Sequence, residues 1–243
     1  FKNVLGFGTL LAEDGRAMHK SWGNSIEFNE GADKIGVDVM RWMYARSNPS
    51  ENMLFGYKIG DGVRRSFLLM LWNIYKYYVE YATLDGFAKA YVPTRPKTFT
   101  ALDEWIVQRM HFVIISSEKA LLEYDARTVT TLVEKLVDDV STWYIRRSRD
   151  RVWSASDDVD DKEVFYATLH YVLVQLSIII SPIMPFVSEE IYRNLTGEES
   201  VHLASWPKID EEVDMARISD MEYVRKLAEI GNRMRRESGV KVK

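Results

Sequence analysis

Arg146, Arg147, Arg149 and Arg151 stand within one short segment between Trp143 and Trp153. In a chain of net charge −4 this makes a local positive ridge, and nothing suggests that the protein as a whole coats nucleic acid through its charge. Guanidinium groups bind phosphates and stack on unpaired bases, so the ridge suits an RNA-facing surface. The competing reading is that helical spacing points some of these arginines into ion pairs with nearby carboxylates. A second basic run holds Arg225, Lys226, Arg233, Arg235 and Arg236, followed by Lys241 and Lys243, and reads as a solvated helix face. Lys20 and Ser21 lie in a glycine-containing loop, which alone is a commonplace surface turn.

Other chemistries are excluded. The absence of cysteine removes disulfides and thiolate zinc sites and fits a reducing compartment, with the cytoplasm as the default. His111, His170 and His202 lack metal-ligand spacing, so no metal site is expected. Asp157 to Asp161 lacks a calcium-loop pattern and reads as a flexible acidic turn. Gly6-Phe7-Gly8 has none of the rest of a dinucleotide or Walker pattern.

The elements that must carry these residues are mostly helical. With 47% hydrophobic, 12% aromatic and 28% charged residues, the composition is that of a globular protein with a real core. Val4 to Leu11 reads as a strand, and Glu13-Asp14-Gly15-Arg16 as its turn. Asn29 can cap a short helix through Lys34, Val37 to Arg46 has helical spacing, and Ser47-Asn48-Pro49-Ser50 breaks it. Long helices follow: from Ile59 to near Thr83, about Leu102 to Glu123, Arg127 to Trp153, Lys162 to Ile180, Pro185 to Leu195 and Ile218 to Glu237. The Pro93 to Pro96 stretch is a crossing loop, and Val201-His202-Leu203 is a short extended piece. Tyr171 to Val187 is too broken by polar residues and prolines for a membrane span and reads as buried helix. The chain opens on Phe1 in mid-strand, as expected of a piece cut from something longer.

Asp14-Gly15-Arg16-Ala17-Met18-His19-Lys20-Ser21-Trp22-Gly23-Asn24 resembles the Lys-Met-Ser-Lys-Ser loop of class I aminoacyl-tRNA synthetases, flanks included. It departs from the pattern twice: Ala17 replaces the first lysine and His19 the middle serine. Trp143-Tyr144-Ile145-Arg146-Arg147-Ser148-Arg149-Asp150-Arg151 resembles the anticodon-binding domain of the isoleucyl branch. Val37 to Trp42 resembles the family's stem-contact helix, Leu71 to Tyr75 its first bundle helix, and Ser181 to Tyr192 and Val201 to Pro207 complete the series in order.

The resemblance implies a mainly α fold, a helical bundle preceded by a small α/β remnant of the catalytic domain. Residues 1–56 would be the end of that domain, the signature loop and the stem-contact connector, and 57–243 the anticodon-binding domain. Ala17, Met18, His19, Lys20 and Ser21 would form the ATP loop, with Lys20 stabilising charge on the triphosphate. Arg146, Arg147, Arg149 and Arg151, with Arg233, Arg235 and Arg236, would touch tRNA. The parent enzyme would use ATP, magnesium and isoleucine to charge isoleucine tRNA, as a cytoplasmic monomer. This portion lacks a nucleotide fold, so it is expected to be inactive alone and to hold no cofactor tightly. Two alternatives stay open: a stand-alone helical RNA-binding or interaction module, and the matching part of a valyl-tRNA synthetase.

Overall fold

The computed structural model of the chain describes residues 4, 6–87, 99–153 and 159–239. Among the described residues strand is confined to β1 (Leu10–Leu11), which pairs in parallel with β2 (Met53–Leu54). The expected strand from Val4 therefore shrinks to its last two residues. The reason is local: ahead of β1 the backbone bonds to loop groups, Gly8 N to Pro49 O at 2.7 Å and Thr9 N to Asn52 Oδ1 at 2.8 Å, rather than to a continuing ladder. Gly8 is needed there, because a Cβ would collide with the Glu51 carbonyl.

Helix α1 (Phe28–Ile35) is capped by Glu27, whose carboxylate accepts the amides of Asn29 (2.8 Å) and Glu30 (3.1 Å). Asn29, the expected cap, is instead inside the first turn. Gly36 at φ 92° turns the chain into α2 (Val37–Arg46). The bundle begins with α3 (Tyr57–Val63), which passes through a wide π turn, Arg64–Leu68, into α4 (Leu69–Leu84). α5 (Ala101–Leu122) starts with a capping box, Thr100 and Asp103 exchanging side-chain and backbone bonds. α6 (Ala126–Asp138) runs through a second π segment, Asp139–Ile145, into the single turn α7 (Arg146–Ser148) and a 3-10 turn at Arg149–Arg151. α8 (Val159–Ile180), α9 (Pro185–Thr196) and α10 (Met215–Glu237) complete the fold.

The expected bundle helices lie within three residues of those observed, but neither π segment was foreseen. Val201–Leu203 is a 3-10 turn rather than an extended piece, since Ser200 Oγ takes the His202 amide and Glu189 the Val201 amide. Of the expected flexible acidic turn, Asp160 and Asp161 open α8, and Asp161 is engaged by Arg151; Asp157 and Asp158 lie outside the described residues, as does the Pro93 to Pro96 loop.

Aromatic rings fill the core. Trp42 stacks on Phe67 at 4.1 Å and Tyr144 on Phe165 at 5.5 Å, all four fully buried. α8 is long and apolar enough by composition to cross a membrane, yet 72% of its most apolar stretch is buried among the other helices. Apolar burial of this kind stabilises by about 25 cal/mol per Å².

Side chains of α2 fix the N-terminal part on the bundle. Trp42 Nε1 donates to Glu134 on α6 at 2.9 Å. Asp38 accepts the Phe186 (3.3 Å) and Val187 (2.7 Å) amides at the start of α9, where the helix dipole favours a carboxylate. Arg41 donates to the carbonyls of Pro182 (2.8 Å) and Ile183 (2.7 Å).

Candidate nucleic-acid interface and nucleotide loop

The loop after β1 is a tight hairpin. Ala12 N donates to Arg16 O at 2.8 Å, Gly15 takes φ 81° at the turn, and Ala17 bridges back to Leu11. Asp14 and Arg16 pair across the turn at 2.6 Å, and the Arg16 hydrogen bonds hold the Asp14 carboxyl below its ordinary pKa. Asn24 then ties the signature segment together, its Nδ2 donating to Ala17 O and its Oδ1 accepting His19 N, both at 2.9 Å. Lys20–Trp22 form one 3-10 turn closed by Gly23, at φ 68°, whose amide returns to Lys20 O.

Of the five loop residues, Met18 packs against the core, and Ala17, His19, Lys20 and Ser21 are exposed. His19 meets Trp22 edge-on at 4.3 Å. Lys20 forms no ion pair or side-chain hydrogen bond with any described residue, so its ammonium is available to a ligand. The loop is anchored on its other side by Glu13, whose Oε1 accepts the amides of Lys58 (2.5 Å) and Ile59 (3.2 Å) at the start of α3.

The arginine ridge divides into two groups. Arg146, Arg147 and Arg149 are exposed and form no ion pair among the described residues. Arg147 lies over the Trp143 ring at 4.7 Å, and Arg225 of α10 approaches the same ring at 5.6 Å. Arg151 is different. Its side chain is 12% exposed and donates to Asp103 (2.7 and 3.0 Å) and Asp161 (2.9 Å), with the Asp103 side chain fully buried. The ion-pair reading therefore holds at Arg151, which leaves it out of the candidate RNA-facing residues. The ion pair forms because the 3-10 turn carries Arg151 inward to the N-termini of α5 and α8.

Two buried carboxylates fix the segment that displays the ridge. Asp139, the first residue of the π segment, accepts from Arg109 (2.9 Å, both side chains buried) and from Arg225. Asp103 accepts the Tyr144 hydroxyl at 2.6 Å near the segment's end. Burial alone would raise Asp103's pKa; hydrogen bonds and charge from Arg151, with Thr100 and Tyr144, outweigh it and hold the carboxyl below its ordinary value. Sequence alone does not single out either aspartate, since only long-range partners distinguish them from an ordinary helix residue. Arg233, Arg235 and Arg236 are exposed on α10; Arg233 pairs within the helix with Glu237 at 3.9 Å. Lys241 and Lys243 lie outside the described residues. Among the described residues no cluster of His, Asp or Glu is placed to hold a metal ion.

A helical bundle that displays arginines without an ion pair among the described residues is thus joined by a docked connector to a loop with an exposed lysine. The family model for the anticodon-binding domain of tRNA ligase matches residues 103–243, and that for class I tRNA synthetases (I, L, M and V) matches residues 1–55. The chain belongs to this anticodon-binding family, and it is homologous along its whole length to isoleucine–tRNA ligases. It is 37% identical over 249 residues to that of Deinococcus radiodurans and 35% over 252 residues to that of Thermus thermophilus. The whole chain is covered in both cases, but it spans only 22% and 24% of those relatives. The fold is also that of a Mycobacterium tuberculosis methionyl-tRNA synthetase bound by methionyl-adenylate (TM-score 0.66, 16% identity, 86% of this chain and 39% of that one). An Agrobacterium radiobacter LeuRS in a complex with tRNA and LeuAMS matches at TM-score 0.64, 14% identity, over 87% of this chain and 24% of that one.

Proposed function

We propose that this chain is the anticodon-arm-binding portion and ATP loop of an isoleucine–tRNA ligase. The observation that carries the reading is the pairing of whole-length homology to such ligases with three exposed arginines, Arg146, Arg147 and Arg149, that form no ion pair among the described residues and stand on one rigidly held segment. In the parent reaction isoleucine and ATP give an aminoacyl adenylate and pyrophosphate, and the aminoacyl group then passes to the terminal ribose of tRNA. Negative charge builds on the departing phosphates, and a compact ammonium such as Lys20 stabilises it there. Among the described residues no set fits a resident metal, so magnesium would come with the ATP phosphates and no step is assigned to it. Arg146, Arg147 and Arg149, with Arg233, Arg235 and Arg236 on α10, serve the tRNA backbone and its unpaired bases. The enzyme is taken as a cytoplasmic monomer.

The test is binding of the chain to isoleucine tRNA and to an anticodon-swapped version at low and moderate salt. Preference for the isoleucine anticodon, lost when the three arginines are replaced by alanine, is the expected result. Preference for a valine anticodon would transfer the chain to the valyl enzyme. Equal affinity for both RNAs, or none for either, would sink the reading in favour of a general helical interaction module.

A further inference from the structure

A cleft of about 560 Å³ lies between α5, α8 and the segment that leads into α10. Val107 and His111 of α5 and Thr168 and Tyr171 of α8 line it, and residues 208–211 form its third side. That third side is pinned to α5: Asp214 N donates to Gln108 Oε1 at 2.8 Å, and Arg217 pairs with Glu104. His111 and Tyr171 join the two helices, Nε2 to the hydroxyl at 3.0 Å. Burial lowers the His111 pKa and pushes Tyr171 up to about 12, so the pair carries no charge at neutral pH. Thr168 is 2% exposed, and its hydroxyl has no partner in hydrogen-bonding geometry among the described residues.

The charges on the lining are unbalanced. Glu104, Asp210, Glu211 and Asp214 bring four carboxylates against the two cations of Lys208 and Arg217. The wall between them is apolar, from Phe99, Val107, Ala167 and Ile209. A crevice left where a linker crosses two helices accounts for the volume, which lies within the range of about 300–1,000 Å³ usual for small-molecule sites. It does not account for a buried hydroxyl that gave up water without gaining a partner, nor for carboxylates that outnumber cations around a neutral interior. Excess negative charge over an apolar wall complements a cation on a hydrocarbon stem, and the Thr168 hydroxyl calls for a second polar group on that stem.

We propose that this cleft binds a small amphipathic amine: its ammonium beside Asp210 and Glu211, its stem against Val107 and Ile209, and a second hydrogen-bonding group on Thr168. The site lies outside the arginine ridge and goes beyond the RNA-binding reading.

The experiment titrates the 243-residue chain with aminohexanol at neutral pH and follows its backbone amides by NMR. Hexylamine, which lacks the hydroxyl, and hydroxyhexanoate, which reverses the charge, are the comparators. Aminohexanol should shift the Gln108, Thr168 and Tyr171 amides saturably and raise the melting temperature as its concentration rises. It should bind about three- to tenfold more tightly than hexylamine, the worth of one hydrogen bond, and hydroxyhexanoate should give no saturable shift. Asp210→Asn combined with Glu211→Gln, both at exposed positions, should weaken both amines about three- to tenfold. Thr168→Val, which keeps the side chain's shape, should erase the advantage of aminohexanol and leave hexylamine binding within about twofold. The exposed acidic pair decides the matter even where Thr168→Val lowers stability. Absence of a saturable shift at these amides, equal binding of amine and carboxylate, or a hydroxyl advantage that survives Thr168→Val overturns the assignment. The titration contains no RNA, so none of these outcomes bears on the arginine ridge.

Discussion

Arg151 and Asp103 meet as a two-point ion pair, Nη1 to Oδ1 at 2.7 Å and Nη2 to Oδ2 at 3.0 Å, at the buried start of α5. Removing one partner of such a pair leaves an uncompensated charge inside the protein. Asp103→Ala should therefore destabilise the fold by about 3–5 kcal/mol in urea unfolding. The dependence on pH has a defined sign. The folded pKa of Asp103 is depressed, so its contribution is full above the unfolded value near ~3.9 and is lost as pH falls below it. The deficit of Asp103→Asn relative to wild type should accordingly grow between about pH 3 and pH 5 and then level off.

Asp38 should give the opposite slope. Burial pushes its carboxyl up, outweighing the amides of Val187 and Phe186 and the charge of Arg41. The folded state thus holds the proton more tightly than the unfolded chain, and this residue's contribution falls as pH rises through the raised value. Asp38→Asn, measured by the same unfolding assay, should gain relative to wild type as pH rises from about 4 to 7. A parallel pair of curves would mean that the buried carboxylate does not titrate as described.

Glu13 ties the signature hairpin to α3 through the Lys58 and Ile59 amides. Glu13→Ala should cost about 1 kcal/mol, the usual value of a helix-capping acceptor, and speed hydrogen exchange at those two amides. Gly56 lies against the Glu13 side chain, and a Cβ there would collide with it. Gly56→Ala should produce the same exchange pattern by displacing the carboxylate. The double variant should then cost clearly less than the sum of the singles; simple additivity would show that the two residues act separately.

Lys20 is exposed and has no side-chain partner among the described residues, so Lys20→Ala should change stability by no more than about 0.5 kcal/mol. If its ammonium meets the phosphates, the same change in the parent enzyme should slow adenylate formation, read by ATP–pyrophosphate exchange, by about 10²–10³. Ala17→Lys fits the exposed position and should leave the melting curve unchanged.

The three exposed arginines, Arg146, Arg147 and Arg149, should dominate the salt response of RNA binding. Replacing Arg146, Arg147 and Arg149 together should reduce the slope of log affinity against log salt by roughly 2–3. Replacing Arg151 should instead lower stability with little change in slope, and titrations at several salt concentrations separate the two outcomes.

The helices were legible because their signals are local: apolar spacing in α2, α5 and α8, Pro185 opening α9, and Gly197 closing it. What sequence hid was set at long range. Glu13 and Asp38 look like ordinary surface acids until the chain brings them against the starts of α3 and α9. Arg151 reads like its neighbours until the turn after Ser148 carries it inward. The arginine ridge and Lys20 could be singled out by residue type and by the pattern around them.

The wide π segment at Asp139–Ile145 has one further consequence. In a regular α-helix each residue advances the angular phase by about 100°, so one extra residue would rotate everything downstream by that amount. Because this wide turn absorbs a change of phase within itself, the apolar stripe of α6 and the orientation of Arg146 and Arg147 are not tied to a single helical repeat. The half that packs and the half that displays the arginines can be adjusted separately, so a change in where the arginines point need not disturb the packing of the helix that carries them.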